Sequence, residues 1–221
     1  MARKSRSIVE LSAIVPPDIF VGTSLILRQG VRFLYGIRPT KIEGEDPILE
    51  LTGIGGGLEE YDQTYSAGVL RESLEEIGSP VQLLTSEETV VVRGPDRISW
   101  VEIAGPERPL ALVFRNYRTP AHSPWDEDNQ GSSCLLVFMA ELKEQPEPRE
   151  ELPNLIWLSA EQVLETARRD VYLSFLLMGG AQLVEGRFGP PPLDGLARLT
   201  DSQEALALAL GDQLVDLYLG R

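Results

Sequence analysis

Hydrophobic residues fall into short blocks or alternate along most of the chain, and helical spacing is confined to a few segments. Phe20 to Arg28 (FVGTSLILR) and Val31 to Arg38 (VRFLYGIR) are apolar, partly β-branched runs separated by Gln29-Gly30, the spacing of a β-hairpin. A polar stretch at 39–47 precedes a short strand, Ile48 to Thr52, that runs directly into Gly53-Ile54-Gly55-Gly56-Gly57. From Thr64 to Ile77, Ala67, Val69, Leu70, Leu74 and Ile77 recur at helical intervals, and Gly78-Ser79-Pro80 ends the pattern. Strands are expected at Val81 to Leu84, Thr89 to Arg93, Leu110 to Tyr117 and Ser133 to Leu142, with a turn-rich acidic loop at 119–131. A strand at Leu155 to Leu158 leads into Ser159, which with Gln162 forms a capping box for a helix from Ala160 to Arg168. A helix at Val171 to Met178, a Gly/Pro-rich connection and an amphipathic helix at Ser202 to Leu219 complete the pattern.

At 221 residues, the chain suits one large domain. The expected division is an N-terminal segment at 1–17, a core domain at 18–168 and a helical C-terminal extension at 169–221. The formal charge of -14 repels phosphate backbones and anionic lipid, so neither nucleic acid nor a membrane surface is an expected partner. The basic opening MARKSRSIVELSAIVPP lacks the continuous apolar core of a secretory signal, and nothing approaches the roughly 18 apolar residues of a spanning helix. One cysteine, Cys134, and one histidine, His122, exclude an internal disulfide and make structural zinc or a Ser/His or Cys/His catalytic pair poor readings. A reducing cytoplasm is the simplest compartment.

The acidic residues of the Gly53 to Gly78 segment are placed, not merely numerous. Glu72, Glu75 and Glu76 stand at i, i+3 and i+4, so the spacing puts three carboxylates on one helical face, where like charges weaken the helix unless a cation joins them. Hard oxygen ligands on a rigid helix suit Mg²⁺ or Mn²⁺, which also bridge to substrate phosphates. Arg71 cannot ligate a metal, but its guanidinium can brace a carboxylate or the glycine loop.

These residues resemble the Nudix box: Gly, five residues, Glu, seven residues, Arg-Glu, an aliphatic residue, one residue, Glu-Glu, one residue, Gly and an aliphatic residue. Gly57, Arg71, Glu72, Glu75, Glu76 and Gly78 fall in register, while Gln63 replaces the first glutamate and Ser73 and Ser79 replace aliphatic residues. The resemblance is confined to 53–79 and implies an α/β/α sandwich with a mixed sheet. It further implies a hydrolase of nucleoside diphosphate derivatives, with Glu72, Glu76 and Arg71 in the catalytic machinery. Glu72, Glu75, Glu76 and the Gly56 carbonyl would be metal ligands. The general base varies in the family; Glu72 is one candidate, and Glu127, Glu150 and Glu151 are the loop candidates.

Pro95 lies sixteen residues beyond Ser79, a spacing that resembles ADP-ribose-type pyrophosphatases and tilts the substrate towards a nucleotide sugar. Trp100, Trp125 and Tyr117 are candidates for base stacking or packing, and Arg93, Arg97, Arg115 and Arg118 for phosphate contacts. A homodimer is an expectation from the family, although the amphipathic C-terminal helix has an equally good intramolecular explanation. The competing reading is a Nudix-fold protein that binds or senses a nucleotide without cutting it, which the loss of a charge at Gln63 favours.

Overall fold

The computed structural model of the chain describes residues 8–38, 41–43, 46–94, 96–115 and 133–219. Its strands are β1 (Ile8–Val9), β2 (Phe20–Gln29), β3 (Arg32–Ile37), β4 (Lys41–Glu43), β5 (Asp46–Thr52), β6 (Val81–Leu84), β7 (Thr89–Val92), β8 (Ile98–Ile103), β9 (Ala111–Arg115), β10 (Ser133–Leu142), β11 (Asn154–Ser159), β12 (Val171–Tyr172), β13 (Gln182–Glu185) and β14 (Leu196–Leu199). The helices are α1 (Tyr65–Ile77), α2 (Ala160–Arg168), α3 (Leu173–Met178), α4 (Asp201–Leu210) and α5 (Gln213–Leu219). The sheet runs β1-β8-β7-β9-β10-β2-β3-β5-β14-β12, with β4, β6, β11 and β13 attached beside that path. It is mixed: β10 pairs parallel with β2 and antiparallel with β9, and β14 pairs parallel with β5.

The period-two alternation of the strands divides the core into two layers, as the pleat requires. On β10, Cys134, Leu136, Phe138 and Ala140 face the layer that receives Val69 and Ile77 of α1, while Val137 and Met139 face the opposite layer. On β11, Leu155 and Trp157 join the α1 side, and Ile156 and Leu158 join the side covered by α2, α4 and α5. The result is the expected α/β/α sandwich. Among the described residues, no helix is long and apolar enough to cross a membrane.

Several expectations shift in detail. The hairpin turn is Gly30-Val31 rather than Gln29-Gly30, with Gly30 taking the positive φ of 62°. The single helix expected at 202–219 is two, because Gly211 leaves the helical region at φ 52°, ψ -128° and separates α4 from α5. The extension is also not helical throughout. β13 pairs with β11, and β14 is inserted between β5 and β12, so residues 169–219 supply strands to the sheet as well as the helices that cover it. β8 was not anticipated: its residues are mostly half-buried and carry no clean alternation to read.

Candidate functional site

The site begins where β5 ends. The glycine loop leaves the strand and bridges back to β2 through Leu25↔Ile54 and Gly22↔Gly57, with the Leu25 N–H donating to the Ile54 carbonyl at 2.6 Å. Gly55 has φ 145°, and a Cβ there would strike the Thr23 carbonyl and lie 2.7 Å from Ser24 Cα. Only glycine allows this loop to lie so close to β2.

α1 then carries the charged residues beneath the loop. The Thr64 hydroxyl caps it by accepting from the Ala67 N–H at 3.0 Å, and Glu107, arriving from the β8–β9 connection, accepts from the Ser66 N–H at 2.7 Å. Gly78 ends it in the left-handed region at φ 62°. The two serines that depart from the Nudix pattern are buried and satisfied: Ser73 donates to the Leu70 carbonyl and Ser79 to the Gln145 carbonyl, both at 2.7 Å. Each replaces an aliphatic side chain without leaving a polar group unpaired.

Arg71 is the organiser of the exposed side. Its guanidinium donates to the Gly57 carbonyl at 3.0 Å and to Asp62 Oδ2 at 3.1 Å, and pairs with Glu72 at 2.9 Å and Glu75 at 2.7 Å. These four partners tie the glycine loop to the helix with the planar fork that arginine alone provides. Asp62, whose carboxyl Arg71 holds below the usual range, is the acid that anchors the guanidinium. Sequence reading passed over it for its neighbour Gln63, which is exposed. Its one signal was an acid nine residues before Arg71, in the turn that leads into α1.

Glu72, Glu75 and Glu76 do not converge as one cluster. Successive helical residues are about 100° apart, so Glu75 and Glu76 lie on opposite margins of the shared face. Glu75 is turned outward, with a side chain 55% exposed, and the Arg71 guanidinium links it to Glu72. Glu76 is turned inward, 7% exposed, and its Oε2 accepts the Gly55 N–H at 2.7 Å. Burial, reinforced by the charges of Glu72 and Glu151, pushes the Glu76 carboxyl up to about 8, against the pull of the Gly55 amide and Arg38. Burial likewise raises Glu72, whose carboxylate lies so close to Gly56 that a Cβ there would be 2.6 Å from Oε1. The Gly56 carbonyl already accepts from the Thr23 N–H at 2.9 Å and from its hydroxyl at 3.4 Å. Among the described residues, no three acidic, histidine or cysteine side chains stand together as a ready metal cluster.

The loop candidates separate. Glu150 pairs with Arg187, whereas Glu151 is near enough to Glu72 and Glu76 for its charge to raise both. A cleft of about 780 Å³ is lined by Glu75, Arg149, Glu150, Glu151, Arg187 and neighbouring residues, and this adds two arginines that sequence reading had not singled out. Arg93 lies instead over the Phe114 ring at 3.7 Å and donates to the Ile14 carbonyl, which commits it to packing at the N-terminal segment. Cys134 is buried, and burial pushes its thiol up to about 12, so it is inert. Trp100 is half-buried on β8. Pro95, Tyr117, Arg118, His122, Trp125 and Glu127 lie outside the described residues.

No family model and no curated protein matches the sequence. Solved structures similar to the chain include a hydrolase of the Nudix family from Clostridium perfringens, 15% identical over 66% of this chain and 85% of that one, with a TM-score of 0.43. Another is the MutT protein from Methanosarcina mazei Go1, 15% identical over 68% of this chain and 84% of that one, with a TM-score of 0.41. A third is an ADP-ribose pyrophosphatase from Streptococcus suis 89-1591, 14% identical over 88% of this chain and 91% of that one, with a TM-score of 0.40.

Proposed function

We propose that the protein is a metal-dependent hydrolase that cleaves the diphosphate linkage of a nucleoside diphosphate derivative, with ADP-ribose and other nucleotide sugars the first substrates to try. The observation that carries this reading is the inward Glu76 carboxylate, held by the Gly55 amide with the charges of Glu72 and Glu151 close by. The charges of Glu72 and Glu151 add to burial in opposing ionisation of Glu76, and a divalent cation would offset that concentration of carboxylate oxygen. Glu72 and Glu76 fit Mg²⁺ or Mn²⁺ by donor chemistry, and Glu75, engaged by Arg71 at the solvent margin, fits less well.

A bound cation would neutralise phosphate oxygens and acidify a water for attack on phosphorus. The chain's own residues do the rest. Arg71 holds Glu72 and the Gly57 carbonyl in one frame, and the Gly55 N–H orients Glu76. Glu151, whose charge reaches both Glu72 and Glu76, is the loop acid we assign to accept the water proton, in preference to Glu150. Arg149 and Arg187 line the adjoining cleft, where they offer charge to an anionic substrate in an otherwise acidic protein. The cleft's volume lies within the range of about 300–1,000 Å³ usual for small-molecule sites.

The test is release of nucleoside monophosphate from ADP-ribose, other nucleotide sugars, dinucleoside polyphosphates and nucleoside triphosphates with Mg²⁺, Mn²⁺ or EDTA, for wild type and Glu76→Gln. Turnover of one class that requires metal and is lost in Glu76→Gln supports the hydrolase. The second reading is a nucleotide-binding module without turnover. It is favoured by the exposed neutral Gln63 and by the outward turn of Glu75, and nucleotide binding with no product under any metal condition would establish it.

A further inference from the structure

A chain of buried polar side chains runs from the C-terminal helices to the floor of the glycine loop. On α4, Gln203 is fully buried and its Nε2 donates to Ser24 Oγ on β2 at 3.0 Å. Its Oε1 accepts from the Tyr218 hydroxyl of α5 at 3.4 Å, and Tyr218 is in turn bonded to the Tyr35 hydroxyl of β3 at 2.9 Å. Both tyrosine rings are fully buried, and Tyr218 packs on Phe33 with ring centroids 4.4 Å apart. Four polar groups kept in an apolar layer cost desolvation that leucine and phenylalanine would avoid. What this chain touches at its upper end is the glycine loop. A Cβ on Gly53 would collide with Ser24 Oγ and lie 2.6 Å from Gln203 Nε2, and one on Gly55 would lie 2.7 Å from Ser24 Cα. The loop therefore rests directly on the Gln203–Ser24 pair, two residues before the Gly55 amide that holds Glu76.

We propose that Gln203 is a positioning residue. Through Ser24 it sets the height of Gly53 to Gly57 above β2, so that the Gly55 N–H meets Glu76, and the C-terminal α4–α5 pair is thereby part of the site's framework. Gln203 touches none of the reacting groups. Its catalytic consequence rests on the hydrolase reading above, whereas its effect on the loop does not.

The experiment compares wild type, Gln203→Leu and the double variant Ser24→Ala/Gln203→Leu. The single variant strands the buried Ser24 hydroxyl and removes the acceptor of Tyr218, and is expected to lower Tm; the double variant removes the Ser24 hydroxyl as well and leaves Tyr218 paired with Tyr35, so its Tm recovers in part. Amide hydrogen exchange of residues 53–57 is measured on the metal-free protein, and kcat and KM on whichever substrate the panel yields. If Gln203 positions the loop, exchange there rises about tenfold in the double variant despite the partly recovered Tm, with exchange in β10 unchanged. In parallel, kcat falls about tenfold while KM stays within about twofold. Loop exchange and kcat that recover together with Tm overturn the proposal and reduce the chain to packing. Raised loop exchange in a protein that turns over nothing retains the positioning role and overturns the hydrolase reading alone.

Discussion

The backbone N–H of Gly55 donates to Glu76 Oε2 at 2.7 Å, joining a loop that follows β5 to the inner margin of α1 twenty-one residues later. This bond fixes the most deeply buried carboxyl of the acidic helix, and it exists because two glycines flank the approach. Gly55 lies against Thr23 and Ser24, and Gly56 lies against Glu72.

Gly55→Ala is expected to destabilise the fold by about 2–3 kcal/mol, since φ 145° is closed to alanine and its Cβ meets the β2 backbone rather than a side chain that can swing away. Urea unfolding measures this. A change below about 0.5 kcal/mol would mean that the loop does not rest on β2 as described.

Glu76→Gln is expected to stabilise the metal-free protein at neutral pH by roughly 1–2 kcal/mol, a Tm rise of about 2–8 °C in a chain of this size. Glutamine keeps an acceptor for the Gly55 N–H and cannot ionise, so folding no longer has to bind a proton against the unfolded carboxyl's ordinary pKa. The sign follows from linkage. The folded carboxyl is raised from 4.5 to about 8, so its contribution to stability is fully present below pH 4.5 and is lost as the pH rises through 8. Melting curves across that window would show the gap between variant and wild type widening with pH. A constant gap would contradict the raised value.

Asp62 and Gln63 separate the roles of anchor and bystander. Asp62→Asn weakens the hold on Arg71 and is expected to lower kcat about tenfold, as loss of a supporting partner typically does. Gln63→Glu adds an exposed charge next to Asp62, outside the contacts that Arg71 makes, and both Tm and kcat are expected to stay close to wild type. A large gain from Gln63→Glu would assign that position a role in holding metal.

Glu150 and Glu151 are adjacent but differently placed. Glu151→Gln is expected to reduce kcat about a hundredfold or more and to remove one limb of the pH–rate profile. Glu150→Gln breaks only its exposed pair with Arg187, with kcat expected within about threefold of wild type. Equal effects at both positions would remove Glu151 as the base.

Truncation at Gly179 is expected to abolish cooperative folding rather than release a separable extension. β14 would no longer cover β5, and the buried Leu206, Leu210, Leu214 and Tyr218 would be lost. At about 1.5–3 kcal/mol for each large side chain, that loss rivals the 5–15 kcal/mol that stabilises a typical domain. Circular dichroism and a thermal melt of residues 1–179 decide it; a folded, cooperative fragment would restore the extension as an independent unit.

What could be read from the sequence was whatever depends on neighbours along the chain. Thr64, Gly78, Ser159 and Gln162 marked helix ends because capping bonds span three or four residues, and α1 and α2 occur where those signals placed them. The long strands β2 and β10 were legible because both faces of a central strand are apolar. The Arg71-Glu72 and Glu75-Glu76 pairs were likewise visible as a helical face. The short strands β13 and β14 were not, because they lie in and just beyond a Gly/Pro-rich stretch whose composition reads as a connection, and only β11 and β5 alongside define them.

By itself, the sequence determined that this acidic chain forms an α/β protein with a glycine loop leading into a helix rich in placed carboxylates, since composition, caps and periodicity are local properties. The tertiary structure decided which carboxylate faces inward, that Asp62 rather than residue 63 anchors Arg71, and that the charge of Glu151 reaches Glu72 and Glu76. It also decided that the C-terminal residues complete the sheet and support the loop through Gln203. The physical reason is the same in each case. Burial and the charge of residues distant in sequence set a side chain's direction and ionisation, and neither is encoded within one turn of helix or one strand.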